Sequence, residues 1–153
     1  MASRMTFWLA ACLGLLLAAP ATALDDPDQL VRQLYRRDSI PVSNAGVDRF
    51  FARDLARAMK KDMKSKDEVG VLDFDYRYGA QDFEVTELTF KKQAVGNGAT
   101  VTASFKNFAK AEVVTYRMCI AAKGWRIADI AGASDEERWE LRKMFKLPAR
   151  TVC

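Results

Sequence analysis

The amino-acid sequence predicts an α+β fold in which N-terminal helices pack on a bent antiparallel sheet of four strands, followed by a short C-terminal helix. Two observations support this prediction. Between residues 30 and 63, apolar residues recur at steps of three and four, as they do on one face of a helix. Between residues 83 and 130, apolar and polar residues alternate in short runs, which is typical of half-buried strands.

The N-terminal segment, residues 1–23, is predicted to be a secretory signal peptide. An apolar run from Met5 to Ala19 follows a short basic start and precedes a small-x-small cleavage site that ends at Ala23. Because a membrane span needs about eighteen apolar residues, we expect no transmembrane anchor after cleavage. Processing as a lipoprotein at Cys12 is the alternative. The mature chain, residues 24–153, is then expected to be a single α+β domain that is periplasmic or secreted.

The composition excludes several kinds of chemistry. The chain has 153 residues and no histidine, which rules out Ser-His and Cys-His nucleophile pairs, an imidazole base and histidine-ligated zinc. Its 24 basic and 20 acidic residues are interleaved, so nothing in the charge pattern indicates nucleic acid as a partner. We also expect neither a cofactor nor a metal ion.

The first two elements are predicted to be helices. Asp26 is a suitable N-cap, Pro27 suits the first helical position, and this helix must end before Ile40-Pro41. A long second helix is expected from Ser43 or Asn44 to about Lys64, lying across the sheet. Its apolar stripe consists of Val47, Phe50, Phe51, Leu55, Met59 and Met63.

The other face of the long helix mixes basic residues with aspartates. That mixture favours a solvated surface over a site for phosphate or anionic lipid. The basic residues on this face are Arg49, Arg53, Arg57, Lys60, Lys61 and Lys64.

An irregular connector from Lys66 to Ala80 leads into the predicted strands. Strand one runs from about Phe83 to Gln93, with a bulge near Thr86-Glu87 where the inward residues change parity. Gly96-Asn97-Gly98 is expected to form a tight hairpin, and Ser134-Asp135-Glu136-Glu137 is a capping box that should begin the last helix. The inward residues of strands two, three and four are predicted to be Val101, Ala103 and Phe105; Val114, Tyr116, Met118 and Ile120; and Trp125, Ile127 and Asp129.

This order of elements, ending on Gly124-Trp-Arg-Ile-Ala-Asp-Ile130, resembles the cone-shaped fold of the nuclear transport factor two-like superfamily. Within it, the stretches Leu72-Asp-Phe-Asp75 and Ala80-Gln-Asp-Phe83 resemble a family of exported bacterial proteins catalogued as a domain of unknown function. The resemblance implies a pocket between the helices and a concave sheet. The superfamily includes isomerases, dehydratases and non-catalytic binding domains, so the resemblance alone does not assign an activity.

Three functional hypotheses follow. The preferred one is a non-catalytic binding module of the cell envelope, whose partner is an unknown envelope protein or a small apolar ligand, with homodimers possible. Its ligand-binding candidates are Trp125, Tyr116 and Asp129. The alternative is an isomerase or dehydratase that uses Asp129 as a base and Tyr116 as an oxyanion donor.

The third hypothesis concerns the aspartates Asp73, Asp75 and Asp82 in and after the connector. They could bind calcium or a cationic ligand, but their spacing lacks the register of a calcium loop. Asx-turns that hold the connector against the sheet are the favoured interpretation, and Arg77 or Arg117 could pair with one of these aspartates.

Two cysteines remain in the mature chain, Cys119 in the third strand and Cys153 at its end. In an oxidising compartment such a pair suggests a disulfide that joins the tail to the sheet. A buried Cys119 with a free or intermolecularly paired Cys153 is the alternative.

Overall fold

The computed structural model describes residues 26–65, 70–134 and 137–153. It is an α+β structure with helices and an open antiparallel sheet of five strands in the order β1-β2-β3-β4-β5, one more than predicted. The predicted signal peptide and Cys12 lie outside the described residues, within which no helix has the length and apolar character to cross a membrane. The elements are α1 (Pro27–Tyr35), α2 (Asn44–Phe50), α3 (Arg53–Asp62), β1 (Val85–Val95), β2 (Gly98–Asn107), β3 (Lys110–Ala121), β4 (Gly124–Ser134), β5 (Glu137–Glu140) and α4 (Leu141–Met144).

Helix α1 begins as predicted. The Asp26 side chain accepts a hydrogen bond from the Asp28 backbone N–H at 3.2 Å, and Pro27 occupies the first helical position. The apolar residues Leu30, Val31 and Leu34 are buried against the sheet. The amphipathic pattern and the cap together account for this helix.

The prediction of one long second helix is wrong. Two helices, α2 and α3, are separated by Phe51 and Ala52, whose backbones are extended. Phe51 forms a parallel β-bridge with Ile127, and the Ala52 N–H donates to the Ile127 carbonyl at 2.9 Å. This break lets Phe50 and Phe51 both enter the core, whereas Met63, predicted to be buried, is 40 % exposed at the end of α3.

The basic face of these helices is solvated, as predicted. Lys60 pairs with Asp48 at 2.6 Å and Arg49 donates to Gln33 at 2.8 Å. Asp54 and Asp62 have structural roles instead, because Asp54 pairs with Arg142 and Asp62 accepts backbone N–H groups of the connector at Val71 and Leu72.

Two local features of the sheet are confirmed. The register of β1 against β2 shifts between Thr86 and Thr89, where Glu87 has a φ of 55°, so the predicted bulge is present. Gly96 and Asn97 form the two-residue turn between β1 and β2, and Gly96 has the positive φ that such a turn requires.

The predicted inward faces hold for β2 and for most of β3. Val101, Ala103 and Phe105 are buried, as are Val114, Tyr116 and Met118, but Ile120 is 59 % exposed. We call the side of the sheet that these buried residues and the helices share the core face, and the opposite side the outer face.

The prediction that inward and outward side chains alternate strictly along β4 is also wrong. Met118 pairs with Ile127 and Arg117 pairs with Asp129, which leaves Ala128 as an extra residue between them. Residues directly opposite each other lie on the same face of a sheet. Ile127 and Ile130 therefore share the core face, while Asp129 lies on the outer face with Arg117.

The capping-box prediction is wrong as well, because the chain enters β5 where a helix was expected. Helix α4 begins only at Leu141, and Asp135-Glu136 lie outside the described residues. Trp139 of β5 packs over Gly132, where a Cβ atom would come within 2.6 Å of the indole Cζ2. Burial of this indole against a residue without a side chain favours the strand over a helix.

The C-terminal tail is held at two points. The Sγ atoms of Cys119 and Cys153 form a disulfide, which is the first of the two alternatives considered for these cysteines. The Arg142 guanidinium, 1 % exposed, donates to the carbonyls of Pro148 and Arg150 and pairs with Asp54 at 2.7 Å. These contacts fix α4 and the tail to α3 and to the end of β3.

Candidate functional site

Tyr116 lies in the filled core rather than in an open pocket. Its hydroxyl donates to the Tyr35 hydroxyl at 3.0 Å, and Tyr35 in turn donates to the carbonyl of Arg77 at 2.5 Å. Burial raises the pKa of Tyr116 well above its ordinary value. The phenol therefore links α1 to the connector and to β3.

Asp129 is 4 % exposed, and both of its oxygens are occupied. Oδ1 accepts from the backbone N–H groups of Ile130 at 3.0 Å and Arg142 at 3.1 Å, and Oδ2 accepts from Arg117 Nη2 at 3.1 Å. Burial, together with a hydrogen bond to the neighbouring Glu140 carboxyl, raises the pKa of Asp129 to about 6. The carboxylate thus joins β4 to the start of α4.

The three predicted ligand-binding residues do not meet at one site. Tyr116 is on the core face, Asp129 is on the outer face, and Trp125 is half-buried near the start of β4. None of them lines either of the cavities described next.

A cavity of about 980 Å³ lies where β3, β4 and β5 meet the connector and α4. We call it the β5 groove. Small and apolar side chains of the outer face form one part of its lining: Val113, Thr115, Ala131 and Ala133. Val113 is 50 % exposed, so this surface is open to solvent. Phe74, Trp139 and Met144 supply further apolar lining, with the Phe74 and Trp139 ring centroids 5.1 Å apart.

Three charged side chains also line the β5 groove: Arg138, Glu140 and Lys143. Glu140 pairs with Lys143 at 2.8 Å and lies beside Asp129, which pairs with Arg117. The hydrogen bond from Lys143 is the largest cause that lowers the pKa of Glu140. Two ion pairs therefore lie side by side, Arg117–Asp129 beneath the groove lining and Glu140–Lys143 within it.

A second cavity of about 330 Å³ adjoins the first and shares Gly79, Ala80 and Ala133 with it. Its lining includes Asp82 and the exposed ring of Phe108. Together the two cavities extend the groove from α4 to the turn between β2 and β3.

The predicted aspartate cluster is dispersed. Asp75 accepts from the Arg77 backbone N–H at 2.9 Å, as an Asx-turn does, and pairs with the Arg77 guanidinium at 2.6 Å. Asp73 and Asp82 are exposed. Among the residues that the structure describes, no group of three or more cysteine, aspartate or glutamate side chains is placed to hold a metal ion.

Sequence reasoning missed the groove because the capping box at residues 134–137 predicts a helix where the chain forms β5. One signal could have revealed the strand. Trp139 and Leu141 are two residues apart and are flanked by the charged residues Arg138, Glu140 and Arg142, an alternation with period two that is typical of a half-buried strand.

The hydrogen bonds of Asp129 predict different effects for two substitutions. Asp129→Ala leaves the N–H groups of Ile130 and Arg142 without their acceptor, so we expect it to lower the free energy of unfolding by about 2–3 kcal/mol. Asp129→Asn keeps an acceptor for both N–H groups and places an amide donor toward Glu140, as protonated Asp129 would. It gives up the bond from Arg117, whose side chain is largely exposed, so that loss should be small. We expect it to cost less than about 1 kcal/mol at pH 7. Urea unfolding of both variants measures the difference, and equal losses would contradict the proposed role of Oδ1.

The stability of the wild type and that of Asp129→Asn should also depend differently on pH. Because the folded-state pKa of Asp129 is raised from 3.8 to about 6, the folded protein binds more protons than the unfolded chain between these values. The contribution of Asp129 to stability therefore falls as pH rises through this window. Asp129→Asn removes that contribution, so the variant should gain on the wild type by roughly 1–2 kcal/mol between pH 4.5 and pH 7. Parallel pH profiles of the two proteins would contradict the raised pKa.

No protein-family model matches the sequence, and neither a curated protein nor a solved structure is significantly similar to it.

Proposed function

We propose that this chain is an exported, non-catalytic binding module of the cell envelope and that its β5 groove holds a small apolar ligand. The observation that supports it best is the groove itself, about 980 Å³ in volume and lined by Val113, Phe74, Trp139 and Met144. Pockets for small molecules are typically concave, roughly 300–1,000 Å³ in volume and mainly apolar, with a few polar groups that orient the ligand.

Export and family membership belong to the same proposal. The signal-peptide pattern in residues 1–23 supports a periplasmic or secreted location. Kinship with the cone-shaped nuclear transport factor two-like superfamily, and with its exported family, rests on the order of elements and on the Gly124–Ile130 motif. An antiparallel sheet whose register shifts in β1 and in β4, packed against helices, is compatible with such a cone.

The arrangement of Asp129 and Tyr116 argues against the isomerase or dehydratase alternative. Such an enzyme needs a base and an oxyanion donor that converge on one substrate. Asp129 and Tyr116 lie on opposite faces of the sheet, and the Tyr116 hydroxyl is bonded to Tyr35 inside the core. The raised pKa of Asp129 suits a base, but its oxygens already accept three hydrogen bonds.

A neutral fluorescent probe tests the binding proposal. N-phenyl-1-naphthylamine increases its emission in apolar sites, and we expect it to bind the protein purified from an exporting host. Ala133→Leu places a larger side chain in the groove and should weaken probe binding about tenfold, which corresponds to about 1.4 kcal/mol. Fluorescence titration gives both dissociation constants.

The control is Ala94→Leu, which makes the same change at another exposed strand alanine, close to the β1–β2 turn and outside both cavities. It should leave the dissociation constant within about twofold. If the wild type does not bind the probe, or if the two variants bind it equally well, the groove is not the binding site and the proposal fails.

A further inference from the structure

Among the described residues that line the β5 groove, one cation has no ionic partner. Glu140 and Lys143 neutralise each other at 2.8 Å, and Asp129 is neutralised by Arg117 at 3.1 Å. Arg138 has no hydrogen bond or ion pair to any side chain in the described ranges 26–65, 70–134 and 137–153. Among the residues that the structure describes, Arg138 is therefore the groove-lining cation that no carboxylate neutralises.

The position of Arg138 places this charge beside apolar surface. Arg138 pairs with Ala133 across the β4–β5 ladder, so both side chains lie on the outer face. Thr115, Ala131 and Glu140 form the next row of the same face. A molecule lying on Ala131, Ala133 and Val113 would thus have one end close to the guanidinium.

We infer that the β5 groove binds an amphipathic monoanion, a carboxylate or sulfonate with an apolar aromatic or aliphatic body, whose charged end pairs with Arg138. The planar guanidinium can donate two parallel hydrogen bonds to such a head group. The apolar body would lie over Ala131, Ala133 and Val113, which adjoin Arg138 on the same face. This inference rests on the proposed function and adds the chemical class of the ligand.

Two probes with the same ring system separate the charge from the apolar body. 8-Anilinonaphthalene-1-sulfonate carries a sulfonate, and N-phenyl-1-naphthylamine lacks it. The wild type should bind the sulfonate more tightly than the neutral probe. Arg138→Gln should weaken sulfonate binding by about threefold to fivefold, as expected for one exposed ion pair, and should leave neutral-probe binding unchanged. Raising the salt concentration from 50 to 500 mM should reduce the preference for the sulfonate, in line with a screening length of roughly 10 Å at 0.1 M.

Arg57→Gln is the matched control, since Arg57 is an exposed arginine of α3 that lines neither cavity. Thermal melts of both variants verify that each is folded. If the neutral probe binds and Arg138→Gln weakens sulfonate binding no more than Arg57→Gln does, the inference is wrong while the proposed function stands. If neither probe binds the wild type, the proposed function and the inference both fail.

Discussion

Replacing Arg142 with methionine is expected to lower the free energy of unfolding by about 3–5 kcal/mol, because it removes one partner of a buried ion pair. The guanidinium of Arg142 is nearly inaccessible and pairs with Asp54 at 2.7 Å. It also donates to the carbonyls of Pro148 and Arg150. Methionine fills a similar volume but cannot donate to any of these oxygens, which would remain partly buried and unpaired.

The pKa of Asp54 reflects its ion pair with Arg142. Burial alone would raise its pKa, yet hydrogen bonds from Arg142 and from the backbone N–H groups of Val152 and Leu55 lower it below the ordinary value. A carboxyl with a lowered folded-state pKa stabilises the protein above its unfolded pKa, and this contribution is lost as pH falls through the folded value. Arg142→Met should weaken that acid dependence as well as the overall stability.

Arg32→Met provides the matched control. Arg32 pairs with Asp28 at 3.0 Å within α1, but its side chain is considerably more exposed, so we expect a loss below about 1 kcal/mol. Urea unfolding at pH 7 measures both variants. A loss for Arg142→Met that is no larger than the loss for Arg32→Met would mean that the buried pair does not stabilise the tail.

Local sequence patterns predicted the elements whose geometry depends on near neighbours. The cap at Asp26, the turn at Gly96-Asn97 and the bulge near Glu87 are all set within a few residues, and all three are confirmed. The break between α2 and α3 was missed because its cause is distant in sequence. The Ala52 N–H donates to the carbonyl of Ile127, which is far away in the sequence. The helical spacing of the apolar residues continues through Phe51, so this spacing gives no sign of the break.

The position of the candidate site likewise depends on contacts between residues that are distant in sequence. Predicting the face of Asp129 required knowledge of the extra residue Ala128 in β4, which becomes visible only when β4 is paired with β3. A one-residue shift moves every later side chain to the other face. The small residues that line the groove, Ala131 and Ala133, have no chemical signature of their own, so only the assembled sheet reveals that they are open beside Arg138.

Removing the disulfide is the second change with a large expected effect. A Cys119→Ser, Cys153→Ser double variant should lose about 3–4 kcal/mol, because the bond closes a loop with a sequence separation of 34 residues and restricts the unfolded chain. The native tail would still be held by Arg142 and by the hydrogen bond from the Val152 N–H to Asp54. The loss should therefore come mainly from the greater freedom of the unfolded state.

Urea unfolding separates this cause from a loss of native contacts. An unfolded chain without the cross-link exposes more surface, so the dependence of unfolding free energy on urea should become steeper in the double variant. The wild type unfolded in the presence of reductant should then behave like the double variant. If the wild type unfolds at the same urea concentration with and without reductant, the link between Cys119 and Cys153 contributes nothing to stability. The polar contacts of Arg142 would then be sufficient to hold the tail.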